Sequence, residues 1–212
     1  MADAVLGERL RMAFRDAAEA VFLYGSTPWE VDEALEAFGF AAGPFEVEDR
    51  VGLDLAWARQ SAGKGPKGLP ILPRMMELGK LGRKTGAGWY RYPGGNGKVD
   101  DPIVADLALE EAHFHRLNRV DYSPEEILDR MLTALVAAAA EALAEGIAAP
   151  AIDAASVEGA GFPAARGGIL TWARGLDPAD LSRMVRLVRD EGKVPLRMVA
   201  GLERGRLPGG PD

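Results

Sequence analysis

The residues able to do acid, base or metal chemistry in this chain are few and scattered. His113 and His115 are the two histidines, and cysteine is absent. The i, i+2 spacing of the histidines places them on different sides of a helix, so we expect solvated side chains and no metal site. Glu8 has the chemistry of a general base, but we favour a solvated position on an amphipathic helix.

A glycine-rich segment, Gly82–Gly88, contains the neighbouring cations Arg83 and Lys84. Backbone N–H groups in such a turn, together with two cations, could bind a phosphate. The same residues suit a tight structural turn that docks Trp89 and Tyr90 on the helices, and we favour this second interpretation.

Three further lysines, Lys64, Lys67 and Lys80, could attract a phosphate group. A charged loop needs no ligand to explain it, so the structural alternative stays open. Trp57, Trp89 and Trp172 fall at apolar positions and are predicted to anchor the core or an interface.

Composition limits the classes of protein to consider. The 212 residues are 48% hydrophobic and 27% charged, as in an ordinary globular protein, and are enough for one large or two small domains. The net charge of -7 argues against a nucleic-acid surface. No apolar run reaches the roughly 18 residues of a membrane span. The lack of cysteine excludes disulfides and thiolate chemistry and fits a reducing cytoplasm, where we expect the protein.

Apolar residues recur at helical spacing along most of the chain. Thr27-Pro28-Trp29-Glu30 and Ser123-Pro124-Glu125-Glu126 both have the pattern of a capping box. The predicted helices run over 5–24, 28–38, 44–59, 72–80, 102–116, 124–146, from about 150, around 169–172, and as a final pair over 178–203. A loop is expected at 61–68, a short extended piece at 89–92 and a frayed tail at 208–212.

One sequence pattern occurs twice in the chain. Val31-Asp32 and Gly39-Phe40 return as Ile152-Asp153 and Gly161-Phe162, at offsets of 121 and 122 residues. The offset of 121 also carries Arg9 onto Arg130. Asp32 and Asp153 are expected to form structural hydrogen bonds to a neighbouring turn. An internal repeat on this scale predicts an all-α protein of two related helical units, residues 1–96 and 97–212, packed on each other.

Several spaced motifs together resemble one family. Arg9, Val31-Asp32, Gly43-Pro44-Phe45, Gly52-Leu53-Asp54 and above all Gly82–Tyr90 are similar to the C-terminal helical region of 3-hydroxyacyl-CoA dehydrogenases. The second half, with Gly161–Gly168 and Trp172-Ala173, resembles the duplicated helical domain of the multifunctional fatty-acid oxidation proteins. The resemblance implies the fold of the 6-phosphogluconate dehydrogenase C-terminal domain.

The resemblance also implies an activity, the NAD-dependent oxidation of 3-hydroxyacyl-CoA in fatty-acid β-oxidation. In that family the helical region serves as the dimerisation surface and one wall of the acyl-CoA cleft. The glycine-rich NAD-binding turn and the catalytic His-Glu pair lie on another domain. We therefore expect no cofactor in this chain, with NAD bound only through a separate domain or subunit, and no catalytic residue.

One active-site residue of the family, an Asn directly before the Arg that matches Arg9, corresponds to Glu8. An ionised Glu accepts hydrogen bonds where the Asn amide could donate one, which weakens the case for activity. Glu8, Arg9, Arg83 and Lys84 are the candidate substrate-binding residues. Three hypotheses follow: half of a split dehydrogenase that needs a nucleotide-binding subunit, an acyl-CoA binding module, or a structural dimerisation protein. A homo-oligomer is expected.

Overall fold

Ten helices make up most of the molecule in this computed structural model, which describes residues 2–62, 69–94 and 97–209. The first five are α1 Ala2–Tyr24, α2 Pro28–Phe38, α3 Pro44–Val51, α4 Leu53–Ala62 and α5 Ile71–Glu77. The other five are α6 Pro102–Phe114, α7 Pro124–Ala144, α8 Ala149–Ala160, α9 Ile169–Arg174 and α10 Pro178–Glu191. Short 3-10 turns cover Arg83–Thr85, Ala164–Arg166 and Leu202–Arg204.

Two short strands, β1 Tyr90–Arg91 and β2 Val99–Asp100, form the sheet seen in the described part of the chain. They pair antiparallel, with Tyr90 opposite Asp100 and Arg91 opposite Val99. The all-α prediction is confirmed. No helix within the described ranges is long and apolar enough to cross a membrane.

Both predicted capping boxes are present. The Thr27 hydroxyl accepts a hydrogen bond from the Glu30 N–H at 3.2 Å, and the Glu30 carboxylate accepts one from the Thr27 N–H at 2.7 Å. Ser123 and Glu126 repeat this exchange at 3.2 and 2.8 Å. Each box satisfies N–H groups that lack partners at the start of a helix, which explains why α2 and α7 begin where the sequence predicts.

The core is organised around α1, which packs chiefly on α7 and α8. At the crossing with α8 the two backbones meet closely: a Cβ on Gly159 would lie 2.4 Å from the Gly7 Cα. A larger residue at either position would push the helices apart. The glycine pair therefore brings the C-terminal end of α8 against the first turns of α1.

Asp32 and Asp153 both accept hydrogen bonds from the first turn of a helix that follows in the sequence. The Asp32 carboxylate accepts hydrogen bonds from Phe45 N–H and Glu46 N–H, at 3.1 and 2.9 Å, in the first turn of α3. Asp153 Oδ1 accepts from the N–H groups of Leu170 and Thr171, at 2.7 and 3.2 Å, in the first turn of α9. Both predicted structural roles are confirmed, while the division into units 1–96 and 97–212 stays a prediction.

The prediction of one helix from Pro44 to Arg59 is wrong. The helix breaks at Gly52, whose φ of 109° lies outside the helical region, and the Gly52 N–H donates to the Glu48 carbonyl at 2.7 Å. The next N–H, on Leu53, donates across to the Leu81 carbonyl at 3.2 Å. This tertiary hydrogen bond starts α4 in a new direction.

The predicted final pair of helices is also wrong. α10 ends at Gly192, which adopts a left-handed conformation with φ 64°, and the chain beyond it forms no helix before the 3-10 turn Leu202–Arg204. Pro195 supplies no N–H for a helix in between. Of the expected loop at 61–68, residues 61 and 62 belong to α4 and 63–68 lie outside the described residues, as do 210–212 of the expected tail.

Candidate functional site

A cavity of about 310 Å³ lies between α1, α3, α4 and the C-terminal end of α8. Its wall is mostly apolar, with charged side chains from three of these helices at its edge. The lining residues are Glu8, Arg11, Met12, Phe14, Arg15, Ala42, Pro44, Val47, Glu48, Val51, Gly52, Ala56, Arg59 and Glu158–Gly161. A volume of this size is at the lower end of small-molecule sites.

Glu8 lines this cavity in ion pairs rather than as a simply solvated side chain. Its carboxylate pairs with Arg11 one turn along α1, and Arg59 Nε of α4 lies 3.2 Å from Glu8 Oε1. Burial lowers the pKa of the Arg11 guanidinium, and the charge of Arg59 lowers it further. One carboxylate thus holds two guanidinium groups at the mouth of the cavity.

Deeper in the wall, Arg15 and Glu48 form a second pair. Arg15 Nε lies 3.7 Å from Glu48 Oε1, too far for a hydrogen bond, and this buried nitrogen has no hydrogen-bond partner. The Glu48 carboxylate accepts a hydrogen bond from Trp89 Nε1 at 2.8 Å. Burial raises the pKa of Glu48 to about 7, although the charge of Arg15 acts in the opposite direction.

This arrangement suits an apolar ligand that carries an oxygen. Met12, Pro44 and Val47 offer apolar surface for a hydrocarbon chain. The unpartnered Arg15 Nε is a buried donor, and such groups in folded proteins nearly always find an acceptor. Because the two carboxylates of Glu8 and Glu158 together balance the two guanidinium groups of Arg11 and Arg59, the mouth of the cavity has little excess charge.

The other three candidate binding residues lie away from the cavity. Arg9 points to α7, where its guanidinium contacts the carboxylates of Glu141 and Glu145, both at 2.5 Å. Lys84 pairs with Asp54. Arg83 lies over the Tyr92 ring, 5.5 Å from its centroid.

The glycine-rich turn is docked on the protein core. Both Trp89 and Tyr90 are buried, and their N–H groups each donate to the Asp49 carboxylate at 2.9 Å. The Tyr92 hydroxyl donates to the same carboxylate at 2.9 Å. The structural interpretation of this turn is therefore confirmed.

The remaining candidate side chains are those of three lysines and the two histidines. Lys80 is buried against Asp101, which removes it from the surface where a phosphate could meet it, while Lys64 and Lys67 lie outside the described residues. Both histidines are exposed. Within the described ranges no three or more acidic or histidine side chains come together as a metal site would require.

Of the three tryptophans predicted as anchors, only Trp89 is fully buried. Trp172 is partly buried against Phe38, with ring centroids 5.7 Å apart. Trp57 is 37% exposed on α4 and so does not anchor the core, while its alternative role at an interface stays a prediction. Its helix packs on the rest of the protein through other faces.

Sequence reasoning missed Arg11, Arg15, Glu48 and Arg59. A signal was present on α1, because Glu8, Arg11 and Arg15 follow one another at i, i+3 and i+7 and so share a face. Nothing in the sequence showed that α3 and α4 would bring Glu48 and Arg59 to that face.

Residues 6–92 match the family model of the 3-hydroxyacyl-CoA dehydrogenase C-terminal domain. This part of the chain, less than half of its length, is therefore similar to the 3-hydroxyacyl-CoA dehydrogenase C-terminal domain family. The resemblance seen in the sequence is thereby confirmed.

Relatives extend the similarity along the chain. The human peroxisomal bifunctional enzyme is 34% identical in an alignment that covers 90% of this chain and 29% of the relative. The glyoxysomal fatty acid beta-oxidation multifunctional protein MFP-a of Brassica napus is 32% identical in an alignment that covers 77% of this chain and 24% of the relative. The chain thus spans less than a third of the length of these relatives.

Two solved structures share the fold. The dehydrogenase part of multifunctional enzyme 1 from Caenorhabditis elegans superimposes with a TM-score of 0.68 at 22% identity, over 96% of this chain and 48% of that one. The 3-hydroxybutyryl-CoA dehydrogenase of Escherichia coli gives 0.63 at 18% identity, over 97% and 58%. At these identities the likeness concerns the fold alone.

Proposed function

We propose that this chain forms one wall of the acyl-CoA cleft of an NAD-dependent 3-hydroxyacyl-CoA dehydrogenase of fatty-acid β-oxidation. The observation that supports the proposal best is the cavity beneath Glu8, because Glu8 stands directly before Arg9, where the family has its active-site Asn. The apolar wall holds the acyl chain, and Arg15 Nε donates to an oxygen of the ligand.

Binding of a medium-chain acyl-CoA to the isolated chain, measured by calorimetry, tests this proposal. Val47→Trp should fill the cavity and weaken binding at least roughly ten-fold, since the loss of a buried contact of this kind costs more than about 1.4 kcal/mol. Val5→Trp is the matched control because Val5 is 71% exposed and does not line the cavity. Absence of heat with any acyl-CoA, or equal weakening by both variants, contradicts the proposal.

The role of Glu8 can be separated from that of the cavity. In Glu8→Asn the amide can donate a hydrogen bond, while Arg11 and Arg59 lose their shared carboxylate. We expect the variant to bind acyl-CoA differently from Glu8→Ala, which removes the carboxylate without supplying a donor. Equal affinities for the two variants would exclude Glu8 from contact with the ligand.

Turnover is proposed to need a second stretch of polypeptide. Because the family's glycine-rich NAD turn and its His-Glu pair belong to another domain, the isolated chain should form no NADH from a 3-hydroxyacyl-CoA. Addition of a nucleotide-binding subunit should restore the activity. NADH formation by the pure chain alone would refute this division of labour.

A second candidate, a dimerisation protein, is favoured by exposed apolar side chains on α6. Ile103, Leu109 and Phe114 are 51%, 57% and 78% exposed. Apolar groups this open often mark a contact with another copy or domain. Sedimentation over a range of concentrations should show self-association that Phe114→Asp weakens, whereas a monomer throughout would remove this candidate.

The location in the cell is a proposal as well. The lack of cysteine suits the cytoplasm, while the relatives named above are peroxisomal and glyoxysomal proteins by name. Fractionation of the source cells, followed by detection of the chain, decides between them.

A further inference from the structure

A second concavity, of about 450 Å³, lies between α10 and the 3-10 turn Leu202–Arg204; we call it the α10 groove. Arg186, Arg189 and Arg204 line it, with Glu203 as the one acidic side chain in the lining. The chain as a whole has a net charge of -7, so this excess of positive charge is local. The α10 groove shares no lining residue with the cavity of the proposed acyl-CoA site.

Arg186 is held in a fixed direction within the groove. Its Nε and one Nη donate to the Ser182 hydroxyl at 3.0 and 2.5 Å. Ser182 is buried, and its hydroxyl donates in turn to the Glu203 carbonyl at 2.7 Å. These hydrogen bonds to uncharged groups hold the guanidinium in one orientation, which lowers the entropic cost of binding a ligand.

The charges of the groove do not cancel. Glu203 is already paired with Arg189, whose guanidinium also contacts Asp190. Neither Arg186 nor Arg204 has a carboxylate partner among the described residues. Two guanidinium groups thus remain uncompensated on the same groove.

The opposite wall is fixed by close packing. A Cβ on Gly205 would lie 1.9 Å from the Pro178 carbonyl oxygen, and Gly205 has a φ of 73°. Only glycine allows this approach without strain, so the 3-10 turn that bears Arg204 is held against the first turn of α10.

We propose that the α10 groove is a binding site for a phosphate group, held between Arg186 and Arg204. The planar guanidinium presents paired N–H donors that match phosphate oxygens, and such charge-assisted hydrogen bonds are stronger than neutral ones. The phosphate is either that of a free small molecule or that of a lipid headgroup, since both present the same oxygens.

Titration of the full chain with inorganic pyrophosphate at low ionic strength, followed by calorimetry, tests this site. Vesicles of phosphatidylcholine with and without phosphatidic acid form the second arm. Saturable binding of pyrophosphate alone supports a free phosphate compound, and binding to the phosphatidic acid vesicles supports a headgroup. Arg186→Gln/Arg204→Gln should weaken whichever binding occurs at least roughly ten-fold, because two charge-assisted hydrogen bonds are lost.

Arg183→Gln is the matched control. Arg183 lies on the same helix as Arg186, and its replacement removes one positive charge, as each of the two groove substitutions does; its side chain is 61% exposed, pairs with Asp129 and does not line the groove. It should keep affinity within about a factor of two, as expected for a surface charge at a distance. The single variant Arg204→Gln guards against a folding defect, since Arg204 is exposed. No saturable binding in either arm, or an equal loss in Arg183→Gln, overturns the proposal.

Discussion

Asp32 and Asp153 perform the same backbone task in different surroundings. Each carboxylate accepts two N–H groups from the first turn of the following short helix. Each also sits against a glycine, Gly43 or Gly168, whose Cβ would collide with the Asp side chain at 2.1 or 2.4 Å. The shared sequence pattern therefore corresponds to one local structure, an aspartate that caps a helix and packs against a glycine. We call the space that the missing Cβ leaves for the Asp side chain the glycine gap.

The two aspartates differ in the side chain that donates a further hydrogen bond to each of them. Asp32 accepts from the Tyr90 hydroxyl, 58 residues away, at 2.9 Å, and Lys98 Nζ lies 3.8 Å from it. Asp153 accepts from the Thr171 hydroxyl, on the helix that it already caps, at 2.6 Å. The first aspartate thus ties the glycine-rich turn and β-hairpin to α2, while the second serves only its own helix pair.

The matching arginines differ even more. Arg9 is 29% exposed and bridges to α7, whereas Arg130 is 2% exposed, lies over the Tyr122 ring and pairs with Glu191 of α10. Matching positions in the sequence thus do not fix which groups a side chain contacts. A repeat conveys local geometry, and the neighbours decide the chemistry.

The glycine gap should be the most sensitive feature of both sites. Gly43→Ala and Gly168→Ala place a methyl group inside the Asp side chain, so we expect each to lower the free energy of unfolding by roughly 4 kcal/mol or to prevent folding. Urea denaturation measures this, and Gly97→Ala, which meets nothing within 4 Å, is the control. A mild effect at only one site would break the comparison.

Removal of the two carboxylates tests the caps themselves. Asp32→Ala and Asp153→Ala each leave two N–H groups without an acceptor, one buried and one partly buried, with an expected cost of roughly 3 kcal/mol. Asp32→Ala should in addition release the Tyr90 hydroxyl, visible as a change in near-ultraviolet circular dichroism that Asp153→Ala lacks. If both variants change that spectrum equally, Asp32 has no special link to the turn.

The buried carboxyl groups that should make the free energy of unfolding depend on pH lie in the first half of the molecule. Burial raises the pKa of Glu48 to about 7, above its ordinary value of 4.5. The folded chain keeps this proton while the unfolded chain loses it, so the stabilisation is complete below pH 4.5 and disappears as the pH rises through 7. Burial likewise raises the pKa of Glu19 to about 8 and of Asp49 to about 6.

The free energy of unfolding should decrease between about pH 5 and about pH 8, and in Glu48→Gln this decrease should be smaller by roughly 2 kcal/mol. Denaturant melts across that interval measure the slope. Glu158→Gln, which neutralises an exposed carboxylate at the same cavity, should leave the slope unchanged. A slope identical in wild type and Glu48→Gln contradicts the assignment.

The smallest effect is expected at the matched arginines. Arg130→Gln removes the ion pair with Glu191 and leaves part of a buried position unfilled, so it should lower the free energy of unfolding by roughly 2 kcal/mol. Arg9→Gln removes partly exposed ion pairs and should lower it by less than about 1 kcal/mol. Thermal melts of the two variants give the ranking. Equal costs would mean that matching positions keep equivalent energetics after all.

Local features were predictable because a few neighbouring residues decide them. Thr27 with Glu30 and Ser123 with Glu126 complete their hydrogen bonds within one turn of helix. By contrast, the break at Gly52 required the Leu81 carbonyl, and the burial of Lys80 required Asp101. Those partners lie 20 or more residues away, where a pattern along the chain holds no information about contact.

The candidate site shows the same division. The sequence by itself determined most of the helices, the two capping boxes, the paired aspartates and the family resemblance, and it singled out Glu8 by its place before Arg9. Only the tertiary structure decided that Arg59 of α4 and Glu48 of α3 surround that residue, and that Gly7 and Gly159 bring α8 close enough to complete the cavity. Caps depend on short-range backbone hydrogen bonds, whereas a cavity depends on where whole helices cross.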